Sequence, residues 1–296
     1  MKWIIAGFLF CYCFAACRAQ SENSFSIQKN NNTLLWQVSG NGLSNPSFLF
    51  GTFHLLCKDD IHFSRQLLQA LKYSNEIYME LDMDDPSTLL SGMLFMNMKN
   101  GKKLQDLYTT DEYLRVQNYF TDTLHAPMLL LQKAKPYFLV ALLYPRMMNC
   151  TAPAGVEQEL LKIAKENKKE IKGLETIQFQ ASIFDSIPYD WQAKELLKNI
   201  DSFSLYKKEF DDMVELYKYQ NLDSMQKMLL KSESGFDKYE NILLKNRNRN
   251  WVSQLKEIMK KESVFVAVGA GHLTGGDGLI SLLQKEGYKV EPLINK

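Results

Sequence analysis

The sequence predicts an α/β fold, a central mixed but largely parallel sheet flanked by helices with a large helical insertion. Three observations predict it. Short β-branched or aromatic apolar runs recur at 34–38, 47–51, 76–82, 169–174, 264–268 and 288–293. Between most of them, apolar residues repeat every three or four positions, the period of a helix packed on one face. The succession from His54 to Glu80 is strand, helix, strand, and such a unit places its strands parallel in one sheet.

After a polar leader at 20–32, the strands 34–38 and 47–51 flank turn residues from Gly42 to Pro46, so the pair reads as a hairpin. Phe63, Leu67, Leu68 and Leu71 lie at helical spacing within 61–74, and the strand 76–82 follows. Residues 86–150 turn helical and rich in Met and Leu, with expected helices at 87–98, 110–120, 127–134 and 136–144. Pro127 and Pro136 stand where a first helical residue would. Met93, Met96 and Met98 read as helix packing rather than a cofactor site. An amphipathic helix at 155–167 shows Val156, Leu160, Ile163 and Ala164 on its apolar side. The strand 169–174 follows, and then a helical stretch 177–259 broken near Pro188, Ser202 and Gly235. A helix at 274–286 and a last strand at 288–293 close the chain.

The 296 residues suffice for a full core, and the domain division expected is a signal peptide at 1–19 followed by one domain at 20–296, with its insertion at about 86–150. Lys2 precedes an apolar segment from Trp3 to Ala16, too short to span a bilayer, and Ala19 ends it with a small residue. Export to the periplasm or the extracellular space follows. In a second reading, Phe14-Ala15-Ala16-Cys17 is a lipobox and the mature protein is a membrane-anchored lipoprotein carrying lipid on Cys17. Removing 1–19 takes away Lys2 and Arg18 and no acid, so the formal charge falls from +1 to −1. That leaves no basic field for nucleic acid. Of five cysteines, Cys57 and Cys150 remain, free to pair in an oxidising compartment if the fold brings them together.

Functional residues sit at strand ends. The runs 47–51 and 264–268 each pass into a Gly-x-x-His turn, Gly51-Thr52-Phe53-His54 and Gly269-Ala270-Gly271-His272. Glu80 and Glu175 close two other strands. In open α/β sheets ligands bind beyond the carboxyl ends of strands, so these four groups are candidates to converge. Two imidazoles and a carboxylate suit a divalent metal with positions left for water, and a second carboxylate could take that water's proton. Against this stand plainer readings: hydrogen-bonded structural histidines, a strand-end Glu80 paired with a lysine, and Glu175 preceding a helix capped by Thr176. His62 and His125 lack the strand-end context and read as surface or packing residues. The Gly269-x-Gly271 pair lacks the third glycine at the fingerprint position and a further, ribose-binding strand of a dinucleotide site.

Phe50-Gly51-Thr52-Phe53-His54, Tyr78-Met79-Glu80-Leu81, Gly155-Val156-Glu157, Gly173-Leu174-Glu175-Thr176 with Gln178 or Gln180 behind it, Asn246-Arg247-Asn248, and Val268-Gly269-Ala270-Gly271-His272-Leu273 through Gly275, Asp277-Gly278 and Gly287 together resemble the TraB/GumN family. The resemblance spans the chain beyond its first segment, and it extends to the TIKI-type metalloproteases and, more distantly, to ChaN-like and erythromycin-esterase-like folds. It implies His54 and His272 as metal ligands, Glu80 as ligand or general base, and Glu175 and Arg247 as further catalytic residues. The metal implied is Mn²⁺ or Co²⁺, with Zn²⁺ also admissible. Glu157 stands where the family more often carries Asp. The function expected is that of an exported metal-dependent, peptidase-like hydrolase acting on a peptide or small-molecule substrate, with a membrane contact only through lipidated Cys17. The rival is a non-catalytic metal- or haem-binding envelope protein of the same fold, and a purely structural envelope protein is a third reading.

Overall fold

The apolar runs assemble into one sheet whose strand order brings the two Gly-x-x-His turns together. A computed structural model describes residues 25–231 and 236–296. The expected signal peptide with Cys17 and the helix break near Gly235 lie outside the described residues. Strands β1 (Leu35–Ser39) and β2 (Ser47–Thr52) form the expected antiparallel hairpin, with Leu35 opposite Phe50. Its turn holds Gly40 and Gly42 at φ 75° and 80°, backbone that glycine adopts without a Cβ penalty. A two-residue strand β3 (Leu56–Cys57) leads to helix α1 (Arg65–Tyr73). That helix starts later than its apolar spacing suggests because the Ser64 hydroxyl caps it, accepting the Leu67 N–H at 3.0 Å. Strand β4 (Glu76–Leu81) completes the β-α-β unit.

The helical insertion comprises α2 (Pro86–Phe95), α3 (Thr110–Asn118), α4 (Met128–Leu131), α5 (Pro136–Ala141) and α6 (Tyr144–Met147). The helix expected at 127–134 is short because Ala134 forms an antiparallel bridge with Asn97 instead of continuing it. Strand β5 (Pro153–Ala154), helix α7 (Val156–Glu166) and strand β6 (Ile171–Glu175) return the chain to the sheet. Helices α8 (Ile177–Asp185), α9 (Tyr189–Asp201), α10 (Phe203–Lys218), α11 (Leu222–Lys231) and α12 (Asn246–Lys261) follow. Strand β7 (Val264–Gly269), helix α13 (Leu279–Lys285) and strand β8 (Lys289–Pro292) end the fold. The helix expected from 274 begins only at Leu279, since Gly275 takes φ 85° and a Cβ on Gly278 would lie 2.1 Å from the Thr274 carbonyl oxygen.

The sheet runs β6-β4-β7-β2-β1-β8. Pairs β6/β4, β4/β7 and β7/β2 are parallel, and the last two pairs are antiparallel. Central β2 and β7 carry buried residues on both faces, as strands covered by helices on both sides must. A second core fills the insertion, where Leu104, Phe120, Leu139 and Leu143 pack with Leu196, Leu197 and Tyr206 from α9 and α10. The insertion therefore shares its core with helices that lie beyond β6 in sequence. Lys135, 1% exposed, ties the two together through Asp185 Oδ1 and the Ala181 carbonyl, both at 2.8 Å.

Cys57 and Cys150 form a disulfide with their Cα atoms 5.9 Å apart. It fastens β3 to the segment that enters α7, where Leu56 pairs with Ala154 and Cys57 with Pro153. The bridge closes a separation of 93 residues, so it removes much freedom from the unfolded chain. Replacing both cysteines with serine is expected to lower unfolding stability by about 2–4 kcal/mol. Denaturant melts of the oxidised protein against the double variant check this.

Candidate active site

The parallel block of the sheet sets out the site. Thr52 lies beside Gly269 in the β2/β7 register, and Leu81 beside Glu175 in β4/β6. The carboxyl ends of four neighbouring strands thus deliver His54, His272, Glu80 and Glu175 to one edge. Two turns more than 200 residues apart in sequence meet there. Tyr217 of α10 holds the first turn by donating its hydroxyl to the Gly51 carbonyl at 2.9 Å.

His54 projects into a cavity of about 200 Å³ that Glu80, Glu157, Gln180, Met79 and Met83 also line. Its Nδ1 stands 2.8 Å from Glu157 Oε1, on the first turn of α7. That helix start is pinned to the turn: Val156 N–H donates to the Phe53 carbonyl at 3.1 Å, and a Cβ on Gly155 would lie 2.8 Å from the His54 carbonyl oxygen. The Glu157 contact raises the imidazole to about 9 against the opposing pull of burial, with Glu80 adding to the rise and Arg247 reducing it. The side chain is 78% exposed at the mouth of the cavity, so solvent screens part of the attraction. At neutral pH His54 carries its proton.

His272 is the opposite case, 4% exposed and packed against Trp251 with ring centres 4.4 Å apart. Burial pushes its imidazole down to about 3, so the ring is uncharged. Its tautomer follows from its neighbours. Asn248 Nδ2 donates to the Asp277 carbonyl at 2.8 Å, which leaves Asn248 Oδ1, 2.6 Å from His272 Nδ1, as an acceptor. Nδ1 therefore carries the hydrogen, and the Nε2 lone pair accepts from Arg247 Nη1 at 3.1 Å.

Arg247, 8% exposed, is the hub of this edge. Its Nε donates to both Glu175 oxygens at 3.0 Å, and its Nη2 donates to Glu80 Oε2 at 2.6 Å and Glu175 Oε2 at 2.9 Å. Nη1 also reaches the Leu243 carbonyl at 3.0 Å, and the guanidinium lies 4.8 Å over the Trp251 ring. Glu80 further accepts from Gln180 Nε2 at 3.0 Å and from Gly269 N–H at 2.9 Å. A Cβ on Gly269 would sit 3.3 Å from that carboxylate, a tight approach where the second turn opens. Burial pushes Glu80 up, but the charges of His272, Arg247 and His54 and the Gly269 N–H outweigh it and hold the carboxyl at about 2. Since His272 is uncharged above about pH 3, the cations acting on Glu80 at neutral pH are Arg247 and, more weakly, His54. Burial leaves Glu175 above the ordinary carboxylate range despite Arg247.

The sequence-expected residues thus divide. His54 and Glu80 face the cavity, while His272, Glu175 and Arg247 lie behind Glu80 as a buried network. Sequence reasoning passed over Asn248 as a positioning residue and left Glu157 without a role. Asn248 does sit beside Arg247 in a quoted motif, and Glu157 lies just after a glycine that the turn requires. His62 and His125 are exposed, as expected of surface residues. No group of three or more His, Cys, Asp or Glu among the described residues is placed to hold a metal ion. The chemistry of the donors agrees, because the His272 Nε2 lone pair is already engaged by a guanidinium. The residues as they stand do not fit the divalent metal that the resemblance implies.

The profile of the TraB/PrgY/gumN family matches residues 34–292. The chain belongs to this family. Among curated proteins, it is 22% identical to "Metalloprotease TIKI1" of Danio rerio over 89% of the chain and 64% of that protein. It is 23% identical to "Metalloprotease TIKI2" of Danio rerio (89% of the chain, 61% of the relative) and 24% identical to "Metalloprotease TIKI2" of Xenopus tropicalis (89% and 60%). The chain therefore spans less than two thirds of the length of these relatives. No solved structure gives a significant match.

Glu157→Gln should return the His54 imidazole from about 9 toward its ordinary 6.5, read from the ring resonances in an NMR titration. A value unmoved in the variant would remove Glu157 as the cause. The same groups set the pH dependence of stability. The contribution of His54 is complete below about pH 6.5 and fades as pH rises through about 9. That of Glu80 is complete above about 4.5 and is lost as pH falls through about 2. His272 is neutral in the fold and takes up a proton on unfolding, so denaturant melts should show stability declining as pH drops from about 6.5 toward 3.

Proposed function

We propose that this member of the TraB/PrgY/gumN family is a peptidase-like hydrolase that acts in the cavity between His54 and Glu80. The observation that carries the reading is a pair of groups on one cavity with ionisation pushed apart: an imidazole raised to about 9 and a carboxyl held at about 2. Environments that separate two titrating groups in this way assign an acid and an anion to one site. The metalloprotease name of the relatives supplies the reaction class, and the cavity, about 200 Å³, has room for a side chain or two of an extended peptide.

His54 is the proton donor of the reading. Glu157 Oε1 pairs with the Nδ1 side at 2.8 Å, and the Nε2–H is left for the nitrogen of the scissile bond. As that bond breaks, His54 gives its proton to the departing amine and regains one from the water that adds to the acyl carbon. Glu80 accepts three hydrogen bonds and is a weak base, so its part is that of a fixed anion that adds to the hold of Glu157 on the His54 charge. Glu175 and Arg247 act through Glu80 rather than on the substrate. Mn²⁺, Co²⁺ or Zn²⁺ comes to the proposal with the relatives' name alone, and no step is routed through it.

Export is part of the proposal. The disulfide between Cys57 and Cys150 supports an oxidising compartment. No helix among the described residues is long and apolar enough to cross a membrane.

Turnover of a peptide library by the purified chain tests the reading. His54→Ala is expected to lower kcat/KM by about 10²- to 10⁴-fold, the usual worth of a positioned acid. Turnover should decline as pH rises through about 9, and in Glu157→Gln the decline should move toward 6.5. The effect of a chelator shows whether a metal takes part. No cleavage of any peptide, together with a haem absorption band lost in His54→Ala, would replace hydrolysis by the capture function.

A further inference from the structure

The buried network behind Glu80 has the composition of a metal site with a guanidinium at its centre. Two carboxylates and one imidazole, Glu80, Glu175 and His272, come from three different parts of the sheet edge and meet one cation. Arg247 distributes its nitrogens among them, with Nε facing Glu175, Nη2 facing Glu80 and Glu175, and Nη1 facing His272 Nε2. Guanidinium suits such a place because it is planar, stays charged and offers its donors in a fixed fork.

The decisive contact is at His272. Asn248 accepts the Nδ1 hydrogen, so the only lone pair on the ring is at Nε2, and Arg247 Nη1 takes it at 3.1 Å. One lone pair cannot bind a metal while it accepts an N–H. A divalent ion at that nitrogen would also stand beside the guanidinium charge, and Trp251 covers both Arg247 and His272. Nothing in the network lets the arginine leave cheaply, because departure would strand two buried carboxylates.

We infer that Arg247 is the resident cation of the Glu80, Glu175 and His272 set, and that it excludes divalent metal from His272. The second Gly-x-x-His turn then serves to complete a protein-internal cation site, and His54 remains the only imidazole of the pair open to ligands. Asn248 is a positioning residue here, fixing the tautomer that Arg247 requires. This inference rests on the geometry of the network and not on the hydrolase reading, and its test reads binding without turnover.

Zn²⁺ is the probe, added to the full chain labelled with ¹⁵N and followed by calorimetry and by the histidine ring resonances. In the wild type the His272 resonances are expected to stay in place at saturating Zn²⁺, with a protonated Nδ1 and an unprotonated Nε2. Arg247→Gln is expected to bind Zn²⁺ about tenfold tighter or more, with the His272 resonances shifting, and Arg247→Gln with His272→Ala should lose that gain. Arg247→Lys keeps the charge and cannot span the three partners, so it keeps the test open if the glutamine variant does not fold. It too should admit Zn²⁺ to His272 more tightly than the wild type. Zn²⁺-dependent shifts of His272 in the wild type, or equal Zn²⁺ affinity in the wild type and in the folded arginine variant, would overturn the inference.

Discussion

The fold converges on the ionic contacts of one arginine. Arg247 is planted on α12, and its guanidinium joins the ends of β4 and β6 to the turn that leaves β7. Both carboxylates would be costly to bury alone, and so would the arginine. Each is held by partners that come from elements far apart in sequence, so the ion cluster forms only when the parallel block of the sheet has closed. Loss of Arg247 would leave two buried carboxylates without their cation, which makes the network a test of correct assembly at the edge where the chemistry lies.

A second constraint acts on the opposite wall of the cavity. The disulfide from Cys57 to Cys150 and the short ladder of β3 and β5 carry the chain to the start of α7, and the Phe53 carbonyl accepts the Val156 N–H there. These covalent and backbone links leave Glu157 against His54. The cavity therefore has one wall fixed by a buried salt-bridge cluster and another fixed by a disulfide, with an open imidazole between them. The two histidines that look equivalent in the sequence end in opposite states: one exposed and charged, the other buried and neutral.

Much of the architecture was legible. Short apolar runs and period-3.6 patterns identified the strands and most helices, and the glycine turns marked strand ends by the sharp reversal they require. The convergence of His54 and His272 on one edge was legible too, since both follow strands of a parallel sheet. Less legible were the ends of helices decided by contacts distant in sequence, as where Ala134 pairs with Asn97 instead of extending α4. The insertion at 86–150 was legible as a helical block, yet part of its core, Leu196, Leu197 and Tyr206, comes from α9 and α10, and local periodicity carries no information on which distant helix covers a face.

By itself the sequence determined the fold class, the family pattern and the residue types at each strand end, because propensity and turn chemistry are written locally. Only the tertiary structure decided what those residues do. It assigned Glu157 to His54, engaged the His272 lone pair with Arg247, and placed Glu80 on the cavity wall with Glu175 behind it. The physical reason is that burial and the approach of charges within about 3 Å set ionisation and donor roles, and both arise only when distant segments pack.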